Sequence, residues 1–182
     1  GPLLRLRIEC KQQALPILAQ AAQAAPDNLQ VLYALGFAYM EQGHLAFAEQ
    51  AFRGVVEKTP DAAGLRGLIS SLLSRQGNHG QAAAELVPLL DDPASDTPAL
   101  RMIAGGLEMQ ANRPQQAVAH FKSVLARRGD DRAVLASLID AWRWLDDQGD
   151  ARATLDAALA TTPASHDLWL ARLMVESQGD SY

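Results

Sequence analysis

Residues 29–60 read LQVLYALGFAYMEQGHLAFAEQAFRGVVEKTP and contain two helical patterns separated by Gln42-Gly43-His44. In each half, small and apolar residues recur every three or four positions, which places them on one face of a helix. Pro60 marks the end of the second helix. The stretch therefore predicts two helices that pack closely side by side. The residues on the facing stripes are Leu32, Leu35, Gly36 and Tyr39 in the first helix, and Ala48, Phe52 and Val55 in the second.

The same spacing recurs along the whole chain. A small residue of the second helix appears five times, at intervals of 34 or 35 residues, and two apolar columns follow it at fixed distances. Three columns in register over five copies favour a helical repeat over a bundle whose spacing is regular by accident. The columns are Ala14, Ala48, Ala82, Ala117 and Ala151; then Leu18, Phe52, Leu86, Phe121 and Leu155; then Ala21, Val55, Leu89, Val124 and Ala158.

Residues 29–60 resemble a tetratricopeptide repeat, whose signature is W-x2-L-G-x2-Y, then A-x3-F, then A and P. Those positions hold Leu32, Leu35-Gly36, Tyr39, Ala48, Phe52, Val55 and Pro60. The resemblance implies an all-α, right-handed superhelical solenoid of antiparallel helix pairs with about four to five repeats. It implies a single domain over residues 1–182. Within it we expect a partial repeat at 3–26, repeats at 29–60, 63–93, 97–129 and 132–163, and a truncated repeat at 165–182.

Several local features predict where helices begin, end or bend. Thr97-Pro98 reads as a helix cap followed by proline at the first helical position, and Pro26-Asp27-Asn28 reads as a stop followed by caps. Pro88 is expected to kink or shorten the helix that contains it. The extra residue of the 35-residue interval is expected in the turn at 111–114. The facing stripe of that third repeat is predicted to hold Leu100, Ile103, Ala104 and Leu107.

The fourth repeat raises a question of register. Ala151 lies two residues after Gly149, whereas Ala48 lies five residues after Gly43. Either the first helix of this repeat gains most of a turn, or the alignment of its two helices is different.

Composition limits the classes of function. The chain has 182 residues, 48% hydrophobic residues and a net charge of −5, and an acidic balance argues against nucleic acid as a partner. No apolar run approaches the length of a membrane span, and no signal-peptide pattern is present. Gly1-Pro2 resembles the scar that a protease leaves, so we expect a fragment of a longer protein.

The sequence contains no recognisable catalytic or metal-binding motif. There is no nucleophile elbow, phosphate-binding loop or dinucleotide-binding glycine pattern. The acidic pairs Asp91-Asp92, Asp130-Asp131 and Asp146-Asp147 lie at repeat boundaries or turns, which is typical of helix caps. The single cysteine, Cys10, cannot form an intrachain disulfide. The four histidines lie far apart, in different copies. We therefore expect neither enzymatic activity nor a cofactor or metal in this chain.

The resemblance implies a concave face lined by the first helix of each repeat. Mapped onto this sequence, it implies partner-binding residues at Tyr33, Phe37, Met40, Arg75, Arg101, Met109, Asp140, Arg143 and Trp144. Small residues at Gly64, Gly67, Ser71 and Gly105 would leave room for a ligand backbone. Some members of the family hold chaperone tails with a Lys and Asn clamp. That clamp is absent, because its positions hold Tyr33, Phe37, Gly67 and Ser71.

These features predict a protein–protein interaction scaffold that binds a peptide or a partner helix. The Ala-, Arg- and Asp-rich usage resembles repeats from high-GC proteobacteria, in the periplasm or cytoplasm. It favours an envelope assembly such as exopolysaccharide secretion or pilus biogenesis. The alternative is a substrate-positioning arm of a larger enzyme such as a glycosyl- or sulfotransferase. Leu168, Trp169 and Val175 lie on a last helix without a partner, which predicts self-association through that helix.

Overall fold

The computed structural model describes the backbone of residues 2–59 and 61–179, and the side chains of residues 13–59 and 61–177. Over these ranges the chain forms ten α-helices and no strand, which confirms the all-α class. The predicted roles of Cys10 and Pro60 fall on side chains outside these ranges. The helices are α1 (Pro2–Ala24), α2 (Leu29–Glu41), α3 (Leu45–Lys58), α4 (Ala63–Arg75), α5 (His79–Asp91), α6 (Pro98–Gln110), α7 (Pro114–Arg128), α8 (Arg132–Leu145), α9 (Gln148–Thr161) and α10 (His166–Gly179).

The helices divide into two compact units, and α5 contributes to both. Unit 1 comprises Gly1–Glu85 and unit 2 comprises Leu86–Tyr182. In unit 1, consecutive helices from α1 to α4 pack against each other. In unit 2, α6 packs on α7, α7 on α8 and α9 on α10, while α10 also contacts α8. Each unit is thus a stack in which neighbours in sequence are neighbours in space.

Helix starts follow the predicted caps. The Asn28 side chain accepts hydrogen bonds from the backbone N–H groups of Gln30 and Val31 at 3.1 and 3.3 Å. The Thr97 hydroxyl accepts from the N–H of Leu100 at 3.1 Å, with Pro98 at the first helical position. These bonds satisfy N–H groups that the helix itself leaves unpaired. Two of the three acidic pairs behave likewise, because Asp131 caps α8 and Asp147 caps α9. Helix α5 continues for three residues past Pro88, so the proline does not end it.

The turn within each repeat has one residue in the left-handed conformation. Its φ is +79° at Gly43, +82° at Gly77, +60° at Asn112 and +52° at Asp146. Each lies five residues before the small residue of the second helix, namely Ala48, Ala82, Ala117 and Ala151. Asp146, not Gly149, is therefore the turn residue of the fourth repeat, and α8 is only one residue longer than α2. The question of register in that repeat is settled without a shift.

The third repeat requires two corrections. A Cβ on Gly36 would lie 2.5 Å from Cε1 of Phe52, and a Cβ on Gly105 would clash in the same way with Phe121. Gly105 is thus the equivalent of Gly36, and the turn at 111–114 has the ordinary length. The extra residue lies between α5 and α6 instead. The expected stripe was also wrong at Ile103, which is 56% exposed. The Phe121 ring packs against Gly105, so Gly105 is not open to a ligand backbone.

Helix α10 was expected to leave Leu168, Trp169 and Val175 uncovered, and the structure covers two of the three. Leu168 and Val175 are buried, at 0% and 4% exposure, because α10 packs on α8 and α9. Trp169 remains 51% exposed, and its indole N–H donates to the carbonyl of Pro163 at 3.0 Å. The uncovered apolar face consists of Trp169, Leu170, Leu173 and Met174.

Two glycine-to-alanine changes in unit 1 should have opposite effects on stability. Gly67 lies inside α4, and a Cβ there meets nothing within 4 Å. Gly67→Ala should raise the free energy of unfolding by roughly 0.5–1 kcal/mol, since glycine is a poor helix former. Gly77 has φ +82°, so Gly77→Ala should lower it by about 1 kcal/mol. Urea unfolding followed by circular dichroism measures both. Changes of the same sign would contradict the assignment of the turn.

Candidate functional site

Unit 1 carries an exposed aromatic pair on α2. Tyr33 is 44% exposed and Phe37 is 36% exposed, and their ring centroids lie 5.0 Å apart. Both rings meet the buried Phe52 of α3 edge to face, at centroid distances of 6.0 and 5.2 Å. Phe52 itself is fixed against Gly36. The two surface rings are therefore held by a buried third ring, which makes them a pre-organised apolar surface.

The other predicted residues of unit 1 lie on α2 and α4. Met40 follows Phe37 on α2 and is half-buried. On α4, Gly64, Gly67 and the exposed Ser71 form a stripe of small residues, and a Cβ on either glycine would meet open space. Arg75 ends α4 and is exposed. The structure thus places an apolar stripe on one helix and a small-residue stripe on another within the same unit.

A second aromatic group on unit 1 was missed from the sequence. Phe47 is 56% exposed and stacks on Tyr39, with ring centroids 5.2 Å apart and planes 27° apart. His44 meets both rings edge-on, at 6.3 Å. A large apolar residue directly before the small Ala48 lies outside the three repeating columns. The sequence could have indicated Phe47 as a surface residue, because a large apolar residue outside the columns is not needed for packing between the paired helices.

The predicted residues of unit 2 are in part already engaged within the chain. Arg101 donates two hydrogen bonds to the Asp96 carboxylate, at 2.6 and 2.9 Å, and Arg127 binds the same carboxylate. Met109 is partly buried against the core of the unit. On α8, Asp140 and Arg143 form an exposed pair at 3.4 Å, and Trp144 is 57% exposed. Of this set, Asp140, Arg143 and Trp144 are the residues that the fold leaves on the surface.

Comparison with known families identifies the repeat. Two profiles described as tetratricopeptide repeat match the chain, one over residues 12–69 and 108–175 and the other over residues 68–133. The chain belongs to the tetratricopeptide repeat family. Among curated proteins, none matches the sequence.

Several solved tetratricopeptide repeat structures share this fold at low sequence identity. YrrB, described as a TPR protein with an unusual peptide-binding site, is 15% identical with a TM-score of 0.60, and the match covers 93% of this chain and 87% of YrrB. MamA is 15% identical with a TM-score of 0.57, covering 98% and 96%. A tetratricopeptide repeat protein from Parabacteroides merdae ATCC 43184 is 15% identical with a TM-score of 0.52, covering 97% and 69%. At this identity the likeness concerns the fold alone.

The described part of this repeat protein shows no arrangement suited to a metal. Over residues 13–59 and 61–177, no three His, Cys, Asp or Glu side chains gather where they could hold an ion. The half-buried His120 has an Nδ1 without a hydrogen-bond partner in that range. Burial lowers the pKa of His120, and the positive charge of Arg101 lowers it further. Among the described helices, none combines the length and the apolar character that crossing a bilayer requires.

The stability of unit 2 should depend on pH because of Asp96. Hydrogen bonds from Arg101 and then Arg127 lower the pKa of Asp96 from its usual 3.8 to about 2. The folded state therefore binds this proton less readily than the unfolded chain, so the stabilisation is present above pH 3.8 and is lost as the pH falls toward 2. Asp96→Asn should lower the melting temperature at neutral pH, and the difference from wild type should close below pH 3.8. A difference that persists unchanged at pH 2 would contradict this role.

Proposed function

We propose that this chain is a protein-interaction scaffold that binds a peptide or a partner helix along α2 of unit 1. The observation that carries the proposal is the exposed pair Tyr33 and Phe37, held from below by Phe52. Exposed apolar groups that are rigid lose little entropy on binding, and aromatic anchors of this kind dominate the affinity of many interfaces. Met40 extends the same stripe toward the end of the helix.

Helix α4 supports the proposal because two of its residues, Gly64 and Gly67, are glycines and present no side chain to a ligand. Because a Cβ on Gly64 or Gly67 would meet nothing within 4 Å, a ligand backbone has room to approach this helix closely. Arg75 at the end of α4 supplies a positive charge for a carboxylate on the ligand. A ligand would then have its apolar anchors on α2 and an acidic group near Arg75, which gives binding a fixed direction.

The test uses peptides selected from a displayed library against the wild-type chain. Their dissociation constants are then measured by titration calorimetry with purified variants. Phe37→Ala and Met40→Ala should each weaken binding by roughly 2 kcal/mol, or about thirtyfold. Phe47→Ala is the control, because it removes the same kind of side chain from an exposed position outside the proposed site, and it should leave the affinity unchanged.

Gly67→Ala separates binding from folding. This variant is expected to be more stable than wild type, yet its methyl group occupies the space proposed for the ligand backbone. It should therefore weaken peptide binding while raising the melting temperature. If Phe37→Ala, Met40→Ala and Gly67→Ala all bind the selected peptides as wild type does, the ligand binds elsewhere and the assignment fails.

The cellular role that we favour is an envelope assembly in a bacterium, such as exopolysaccharide secretion or pilus biogenesis. Its support is compositional, since the sequence is rich in alanine, arginine and aspartate. Crosslinking in the source cell distinguishes this role from that of an enzyme arm. Capture of secretion or pilus components supports an envelope role, and capture of a glycosyl- or sulfotransferase supports the alternative.

Helix α10 supports a second kind of contact, self-association. Four large apolar side chains on it are between 41% and 58% exposed, and contiguous apolar surfaces of this kind mark interaction sites. The residues are Trp169, Leu170, Leu173 and Met174.

A further inference from the structure

A glycine beneath the exposed aromatic pair sets the space that the buried third ring occupies. Gly36 lies on α2 opposite Phe52 of α3, and a Cβ at position 36 would lie 2.5, 2.7 and 2.8 Å from three carbons of the Phe52 ring. Carbon atoms that are not bonded do not approach so closely, so a residue larger than glycine must displace the ring. Phe52 is fully buried, and its ring can therefore move only together with its neighbours.

The ring that would be displaced is the one that contacts both exposed anchors. Phe52 meets Tyr33 with the ring planes at 72° and Phe37 with the planes at 74°. Edge-to-face contacts of this kind depend on the distance and the tilt of the rings. A shift of Phe52 therefore changes the support of Tyr33 and Phe37 at the same time.

We propose that Gly36 is a positioning residue of the peptide site, which acts through Phe52 on the orientation of Tyr33 and Phe37. This rests on the binding site proposed above and adds to it a buried residue that does not touch the ligand. Rings that are already held in one orientation lose less side-chain entropy when a ligand binds. The gap at Gly36 therefore contributes to the affinity for the ligand as well as to the packing of α2 on α3.

Unit 2 contains the same buried contact without the aromatic pair above it. A Cβ on Gly105 would collide with the corresponding three carbons of the Phe121 ring at nearly the same distances. The two anchors of unit 1 lie three residues before and one residue after its glycine, and the corresponding positions of unit 2 hold Met102 and Gly106. A methyl group at Gly105 should therefore disturb the packing of α6 on α7 without moving an aromatic anchor.

The test compares matched substitutions in the two units of the full chain. The ligands are those library peptides that bind Phe37→Ala more weakly than wild type. Dissociation constants are measured by titration calorimetry, at a temperature at which circular dichroism shows each variant to be folded. Gly36→Ala should weaken binding roughly threefold to tenfold, since two side chains must be ordered again by the ligand. Gly105→Ala should lose a similar amount of stability and keep the wild-type affinity.

A second pair of variants removes the ring and leaves the glycine in place. Phe52→Leu keeps an apolar side chain between α2 and α3 but cannot support the anchors edge to face, so it should weaken binding by a similar factor. Phe121→Leu makes the same change in unit 2, and it should leave the affinity unchanged. This pair decides the question if Gly36→Ala does not fold.

Three outcomes would overturn the positioning role. Wild-type affinity in the folded variants Gly36→Ala and Phe52→Leu would do so, and it would leave the binding site itself standing. Equal weakening by Gly105→Ala or Phe121→Leu would do so as well, because the loss would then follow stability and not the anchors. If no selected peptide is weakened by Phe37→Ala, the binding site proposed above has failed, and the positioning role fails with it.

Discussion

Phe52→Ala should lower the free energy of unfolding by roughly 3–5 kcal/mol, which is a large part of the stability of a domain of this size. Phe52 is 0% exposed and fills the space beside Gly36 between α2 and α3. It also supports the Tyr33 and Phe37 rings. Truncation leaves a cavity that the two helices cannot close without moving. Equilibrium unfolding in urea, followed by circular dichroism, measures the change.

Phe47→Ala is the matched comparison, because it removes the same side chain from the same helix at a position that is 56% exposed. It should cost less than about 1 kcal/mol. Equal losses from the two substitutions would mean that Phe52 does not form the packed contact described here. In Phe52→Ala, Tyr33 and Phe37 would no longer be held in place, so the proposed peptide binding should weaken as well.

Gly36→Val should destabilise the chain by roughly 3 kcal/mol, at the upper end of the cost of overpacking a core. A Cβ at this position would lie 2.5 Å from a ring carbon of Phe52, so the ring or the helix must move. The helical conformation of Gly36 is itself acceptable to valine, and the cost therefore comes from the collision. Urea unfolding measures this change as well.

Phe52→Leu should relieve the collision in part. The fourth repeat has the large and small residues arranged differently, with Ile139 and Leu155 at the corresponding positions, and both are buried in unit 2. In a double-mutant cycle, Gly36→Val should cost at least about 1 kcal/mol less in the Phe52→Leu background than in wild type. Additive effects would show that the two residues do not share the contact.

The sequence alone determined the helices, their pairing and the column of large buried residues that contains Phe52, Phe121 and Leu155. Periodicity at three and four residues reports which face of a helix is apolar, and caps and turns depend on residues close in sequence. The buried states of Phe52, Phe121 and Leu155 were therefore predictable, as were the caps at Asn28 and Thr97. Tyr33 and Phe37 were also identified, through the resemblance to the tetratricopeptide repeat, which implies that their positions line the concave face.

The tertiary structure decided which of several similar residues meets a given neighbour. Ala104, Gly105 and Gly106 are all small, and only the position of the Phe121 ring shows that Gly105 is the contact. The glycine pattern of the sequence points to Gly149 as the turn residue, whereas Asp146 adopts the left-handed conformation, which aspartate tolerates better than most residues.

The tertiary structure also decided which candidate residues remain on the surface. Arg101 is bound by Asp96, five residues before it, and Leu168 and Val175 are covered by α8 and α9. A helical period gives the direction of a side chain, but not what lies opposite it. The residues left on the surface of each unit are fixed by contacts between helices that are distant in sequence, and those contacts exist only in the folded chain.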